Sequence, residues 1–205
     1  MNAKLKETIL NPIFKGNPIT VLVLGICSSL AVTVQMKGAF VMGLSVIVVT
    51  GLSNFVVSLM RNSIPNRVRI IVQLVVVSLM VILVDQFLKA YAYSIETQLS
   101  VYVGLIITNC ILMGRLEAFA MQNKPWPSFV DGISNGLGYG IILVVVGAFR
   151  ELLGRGTLLG FQIIPESAYD FGYLNNGTMT MPAMALIMIG VVIWIHRAYF
   201  YKEDK

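Results

Sequence analysis

Two residues of this chain combine soft, nucleophilic chemistry with an unusual setting: Cys27 and Cys110, the only cysteines among 205 residues. Their surroundings, Gly25-Ile26-Cys27-Ser28-Ser29 and Thr108-Asn109-Cys110-Ile111, interrupt runs of Val, Ile and Leu with small, hydroxyl and amide side chains. Such residues let backbones approach and satisfy amide groups freed where a membrane helix is broken. Gly25, Ser28, Ser29, Thr108 and Asn109 are therefore candidates for supporting a helix break, or for surrounding the thiols, without ligating anything themselves. A lone cysteine in an apolar helix acts as a small hydrophobe. A pair adds two readings: a disulfide, which needs Cα atoms within about 7 Å, and ligation of iron or zinc by thiolates that the metal keeps deprotonated. Two thiolates complete neither a tetrahedral zinc site nor an iron–sulfur cluster, each of which normally takes four protein ligands. Spacing alone leaves all three readings open. His196, at the end of the last apolar stretch beside Trp194 and Arg197, reads as an interfacial residue rather than a third ligand.

The elements that must position these thiols are membrane spans. The chain is 57% hydrophobic and 12% charged, against about 25% charged in soluble domains. This excludes a soluble enzyme with a small anchor, and two cysteines exclude a disulfide scaffold. About 20 apolar residues cross a ~30 Å core as a helix. Six stretches qualify: Ile19 to Met36, Ala39 to Met60, Ile70 to Leu88, Leu99 to Met113, Ile133 to Phe149 and Met181 to Ile195. With both termini cytoplasmic, eleven Lys and Arg fall inside and four outside, as the positive-inside rule prefers. The net charge of +5 is then an orientation signal. The connection from Gly154 to Thr180 falls outside as a semi-ordered loop.

Sliding the sequence on itself by 89 residues superposes Phe40, Val41, Gly43, Ser45, Gly51, Val56, Val57 and Arg61 on Phe129, Val130, Gly132, Ser134, Gly140, Val145, Val146 and Arg150. A shift of 83 puts Leu22 on Leu105 and Cys27 on Cys110. Three spans per copy reverse the second copy in the membrane, an arrangement that builds sites near the midplane at the repeat interface. The expected fold is an all-α integral membrane protein, one domain over 1–205. Its six helices form two inverted three-helix repeats, about 12–95 and 96–205, with the first and fourth helices broken at midplane. At 1.5 Å rise per residue both cysteines lie roughly 12 to 17 Å into the core.

Ionisable residues inside a span are functional candidates by default. Asp131 with Asn135, Asp85, Arg115 with Glu117, and Arg150 with Glu151 all fall near span ends, where snorkelling or pairing at the interface accounts for them; Asp131 is the candidate contact on an ion pathway. Gly132, Gly136 and Gly140 recur every fourth residue, a stripe suited to close helix packing. There is no Walker motif, dinucleotide fingerprint, catalytic carboxylate pair or nucleic-acid motif. Inverted repeats and broken helices suit a secondary transporter or small-molecule-binding membrane protein equally well.

The segments GICSSLAVT (Gly25 to Thr33), LIITNCILMGRLEAFA (Leu105 to Ala120), DGISNGLGYG (Asp131 to Gly140) and AFRELLG (Ala148 to Gly154) resemble the D-type members of the membrane-subunit family of the bacterial Na+-translocating NADH:quinone oxidoreductase. The resemblance runs over nearly the whole chain. Paralogous E-type subunits of the nitrogen-fixation-related electron-transport complex are similar, but tend to carry Pro-Leu at Ser28-Ser29. The resemblance implies a pseudo-symmetric pairing with a homologous, oppositely oriented E subunit, each donating two cysteines to a shared intramembrane [2Fe-2S] cluster. Here those positions are Cys27 and Cys110. It further implies a non-catalytic electron relay in the bacterial inner membrane, between the F-subunit cluster on the cytoplasmic side and the FMN of the C subunit on the outer side. That relay is coupled to sodium export in a complex with the A, B, C, E and F subunits.

Overall fold

The computed structural model describes residues 12, 16–65, 67–91, 103–158, 161–162 and 177–200. Among them six α-helices carry the fold: α1 (Ile26–Val32), α2 (Met36–Met60), α3 (Arg69–Tyr91), α4 (Cys110–Arg115), α5 (Pro125–Arg155) and α6 (Pro182–Phe200). A helical stretch over 103–107 precedes α4, and a π-helical turn, Leu116–Ala120, continues it. The other regular elements described are a short hairpin pairing Thr157 with Gln162 and Leu158 with Phe161, and a 3-10 turn, Gly177–Thr180. The rest of the expected external loop lies outside the described residues.

Five helical segments are long and apolar enough to cross a membrane: Met36–Met60, Arg69–Phe87, Val103–Ala120, Pro125–Arg155 and Pro182–Tyr199. The expected first span, Ile19 to Met36, is not a continuous helix. Its hydropathy is high, but its backbone turns repeatedly. Val21 N–H bonds to Asn17 O (3.0 Å) and Leu24 N–H to Pro18 O (2.9 Å), after which Val23 and Gly25 take positive φ angles of 57° and 78°. Positive φ ends right-handed helix outright and is rare for a β-branched residue. Only the seven residues of α1 remain helical.

The helix expected over Ile133 to Phe149 is longer at both ends. Pro125 stands at its first position and Gly156, at φ 68°, closes it with an N–H bond to Leu152 O, the Pro-in, Gly-out pattern of a well-bounded helix. Its 31 residues span about 46 Å, so its ends reach past the hydrocarbon. Trp126, largely exposed, sits at one such end, as interfacial aromatics do.

The core is the antiparallel pair α2 and α5, which pack backbone to backbone. A Cβ on Gly132 would stand 2.7 Å from Thr50 O and 3.0 Å from Gly51 Cα; one on Gly136 would stand 2.7 Å from Ile47 Cα, and one on Gly43 3.3 Å from Gly140 Cα. Polar bonds secure both ends of the pair. At one, Arg61 Nη1 donates to Gln122 O (3.4 Å) and Ser58 Oγ to Asn123 O (2.6 Å); at the other, Arg150 Nη1 donates to Thr33 Oγ1 (2.7 Å) and Met36 N–H to Glu151 Oε2 (2.7 Å). Helix α3 leans on α2, and α6 on α1 and the 3-10 turn. Both leave apolar side chains such as Ile71, Val75, Leu186 and Val191 on the outside.

Gly132→Ala or Gly136→Ala forces two backbones apart, and overpacking of this kind costs about 1–3 kcal/mol. Gly190, with open space around its Cα, is the control: Gly190→Ala gains roughly 0.5–1 kcal/mol of helix propensity. Thermal unfolding of the detergent-solubilised variants should show a lowered midpoint for the first two and an unchanged or raised one for the third.

Candidate metal centre

Both cysteines sit where a helix begins. Cys27 is the second residue of α1, whose N-cap Gly25 is left-handed. That glycine is required twice over: a Cβ there would also meet Ile111 Cδ1 at 2.7 Å and Tyr139 Cε2 at 3.1 Å. Cys110 is the first residue of α4, whose N-cap Asn109 is extended, with Oδ1 accepting from Ile111 N–H at 3.1 Å. The cap satisfies one of the amide groups orphaned at a helix start.

The two breaks are joined to each other. Ser28 Oγ donates to Gly25 O (3.0 Å), accepts from Asn109 Nδ2 (3.3 Å) and meets the Tyr139 hydroxyl at 2.6 Å. Gly25, Ser28 and Asn109 thus form one junction across the two cysteine loops, closed from α5 by Tyr139. Ser29 and Thr108 bond instead to carbonyls of their own segments, Ile26 O (2.7 Å) and Gly104 O (2.9 Å).

Both thiols are free and exposed on the surface of the chain. Among the described residues no three His, Cys, Asp or Glu side chains gather as a metal-binding group, and His196 joins none. The soft donors this chain offers are therefore two exposed cysteine sulfurs. That fits half of a four-thiolate iron centre and does not fit a complete one.

The charged residues expected near span ends are paired within the chain. Asp131 and Arg150 are each only 1% exposed. Both carboxylate oxygens of Asp131 are held by Arg115, with Nε at 2.9 Å from Oδ2 and Nη2 on Oδ1, and Asn135 Nδ2 adds a bond to Oδ1 at 3.1 Å. Arg150 spends its guanidinium on Thr33 and on the carbonyls of Leu30, Met179, Thr180 and Met181. Glu117 binds Arg69 and accepts from Gln73 Nε2 (3.1 Å). Asp85 pairs with Lys89 one turn along α3 at 2.9 Å.

The family model described as "Rnf-Nqr subunit, membrane protein" matches residues 5–193. The chain belongs to the Rnf-Nqr family. Among its relatives is the D subunit of the Na(+)-translocating NADH-quinone reductase of Psychromonas ingrahamii, 56% identical over 194 residues, which cover 95% of this chain and 92% of the relative. The D subunits of the same reductase from Aeromonas hydrophila and Aeromonas salmonicida are each 55% identical over 192 residues, covering 94% of this chain and 91% of theirs.

In this Rnf-Nqr chain the site residue that sequence reading misses is Tyr139. Its signal is there: a hydroxyl in mid-span between Gly138 and Gly140 must find a partner where no water reaches. The Arg115–Asp131 pair is the most exacting charge interaction of the site's surroundings. Arg115→Ala strands a buried carboxylate and should cost about 3–5 kcal/mol, whereas Arg115→Leu with Asp131→Leu should recover most of it. Unfolding midpoints of the single and double variants check this.

Proposed function

We propose that this chain is the D-type membrane subunit of a Na+-translocating NADH-quinone reductase. We propose further that Cys27 and Cys110 are its half of a [2Fe-2S] centre completed by two thiolates of a homologous E-type subunit. The observation that carries the reading is the junction of Ser28, Asn109 and Tyr139, which brings together two loops each presenting one free, outward-facing thiol. Helix starts suit thiolates, because the unpaired N–H groups there stabilise negative charge. When bound, such a centre supplies a one-electron carrier within the low-dielectric slab, between the F subunit on the cytoplasmic side and the FMN of the C subunit outside. This chain's residues hold the two sulfurs at its surface and leave the other side open to the partner.

Contacts within the core support two inverted repeats. At the shift of 89 residues, Gly43 and Gly51 correspond to Gly132 and Gly140; Gly43 packs on Gly140, and Gly51 on Gly132. Arg61 and Arg150 correspond too, and each closes one end of the α2–α5 pair. The two glycine contacts are each other's image, as a two-fold axis between α2 and α5 requires. A homologous protein built this way repeats the two-thiol geometry. The placement is the bacterial inner membrane, with both termini cytoplasmic, in a complex with the A, B, C and F subunits as well.

In the purified complex, Cys27→Ala and Cys110→Ala should each abolish NADH-driven quinone reduction and remove iron and acid-labile sulfide. Retention of both iron and activity in either variant sinks the reading and favours an inverted-repeat transporter. Asp131 is the proposed ion-pathway contact, at which any cation must compete with Arg115. Asp131→Ala should lose the sodium dependence of turnover, and an unaltered dependence removes it from the pathway.

A further inference from the structure

Ser28 Oγ has one proton to give and two lone pairs to fill. Gly25 O is an acceptor for that proton at 3.0 Å, and one lone pair receives Asn109 Nδ2 at 3.3 Å. The Tyr139 hydroxyl closes the junction at 2.6 Å from Ser28 Oγ, a short hydroxyl–hydroxyl hydrogen bond that either oxygen can donate.

The ring is as tightly placed as the hydroxyl. It lies against the space that Gly25 leaves free, and its neighbours on α5 are themselves pinned. A Cβ on Gly138 would stand 2.6 Å from Pro12 O, and one on Gly140 3.6 Å from Gly43 Cα. Asn17 Nδ2 donates to Gly138 O at 3.0 Å. Tyr139 is completely buried, on the longest helix of the fold.

We propose that Tyr139 is a positioning residue for the two-thiol site. From the core helix it hydrogen-bonds Ser28, locks the Cys27 loop onto the Cys110 loop, and so sets the distance between the two sulfurs. The loops are short helix starts with few other cross-ties, and a lost hydrogen bond at their only described three-way junction leaves them free to drift apart. The consequence for an electron carrier rests on the reading of both cysteines as iron ligands; the clamp itself does not.

The two arms of the test separate these statements. Because Cys27 and Cys110 are the only thiols in the chain, bifunctional thiol reagents of graded length, applied to the full chain in membranes without partner subunits, report their separation directly. Wild type should cross-link with one preferred length. Tyr139→Phe, which keeps the ring, should lower the rate at that length about two- to tenfold, the weight of one neutral hydrogen bond, and broaden the length profile. Ser28→Ala removes this bond and the Asn109 bond with it, so it should lower the rate at least as much, and adding Tyr139→Phe to it should lower the rate little further. In the purified complex, Tyr139→Phe should retain iron but shift the midpoint potential and broaden the EPR signal of the reduced centre. An unchanged cross-linking profile in both single variants overturns the proposal whatever the complex does. An altered profile in a complex whose wild type carries no iron supports the clamp and defeats the ligand reading alone.

Discussion

The close approach of α2 and α5 governs everything else in this molecule. In a membrane there is no hydrophobic gain from bringing two apolar helices together, so association relies on packing and on bonds that need short distances. Gly43, Gly51, Gly132, Gly136 and Gly140 supply those distances by removing side chains from the crossing. The resulting rod is stiff enough to serve as a datum, against which Tyr139, Arg150 and Glu151 locate segments that have little regular structure of their own. The two cysteine loops are such segments. Each is a helix start within a broken span, and each takes its position from α5 rather than from continuity with a helix of its own.

The buried charges follow the same logic. A guanidinium or carboxylate inside a membrane protein is tolerable only where partners are provided; here Asp131 is met by the side chains of Arg115 and Asn135, and Arg150 mainly by backbone groups that irregular structure exposes. Arg150 consumes carbonyls at the end of α1 and around the 3-10 turn. The π-helical turn at Leu116–Ala120 follows Arg115, which faces Asp131, and contains Glu117, which faces Arg69 and Gln73. The extra residue of a π turn shifts the register of side chains beyond it, and such turns gather where geometry is set by function rather than by helical repeat. Irregularity and charge thus offset each other.

How far the sequence discloses this depends on whether the cause is local. The breaks at Gly25 and Asn109 are legible because a left-handed glycine and an amide N-cap act within a few residues. The stripe of Gly132, Gly136 and Gly140 is legible because it has a helical period. The first span is broken, as expected, but how little of it stays helical is not legible, because hydropathy counts apolar residues and is blind to the turns set by Asn17 and Pro18. Asp131 and Arg150 are expected to pair near span ends, but their partners are not legible, because a depth estimate says nothing of lateral neighbours. Tyr139 escapes notice because its partner, Ser28, lies 111 residues away in sequence, beyond any periodic pattern.

The glycine crossing also has a temporal side. Gly43 and Gly140 are separated by 97 positions, so α2 is synthesised long before the helix that completes it. At about 5–20 residues per second, some 5 to 20 seconds pass in which the face carrying Thr50, Ser53 and Asn54, buried in the finished fold, has no α5 to cover it. Biogenesis must shelter a polar stripe in the bilayer for that interval, with lipid, the insertion machinery or α3 as its temporary neighbours. The nascent chain is least secure where the mature protein is most rigid.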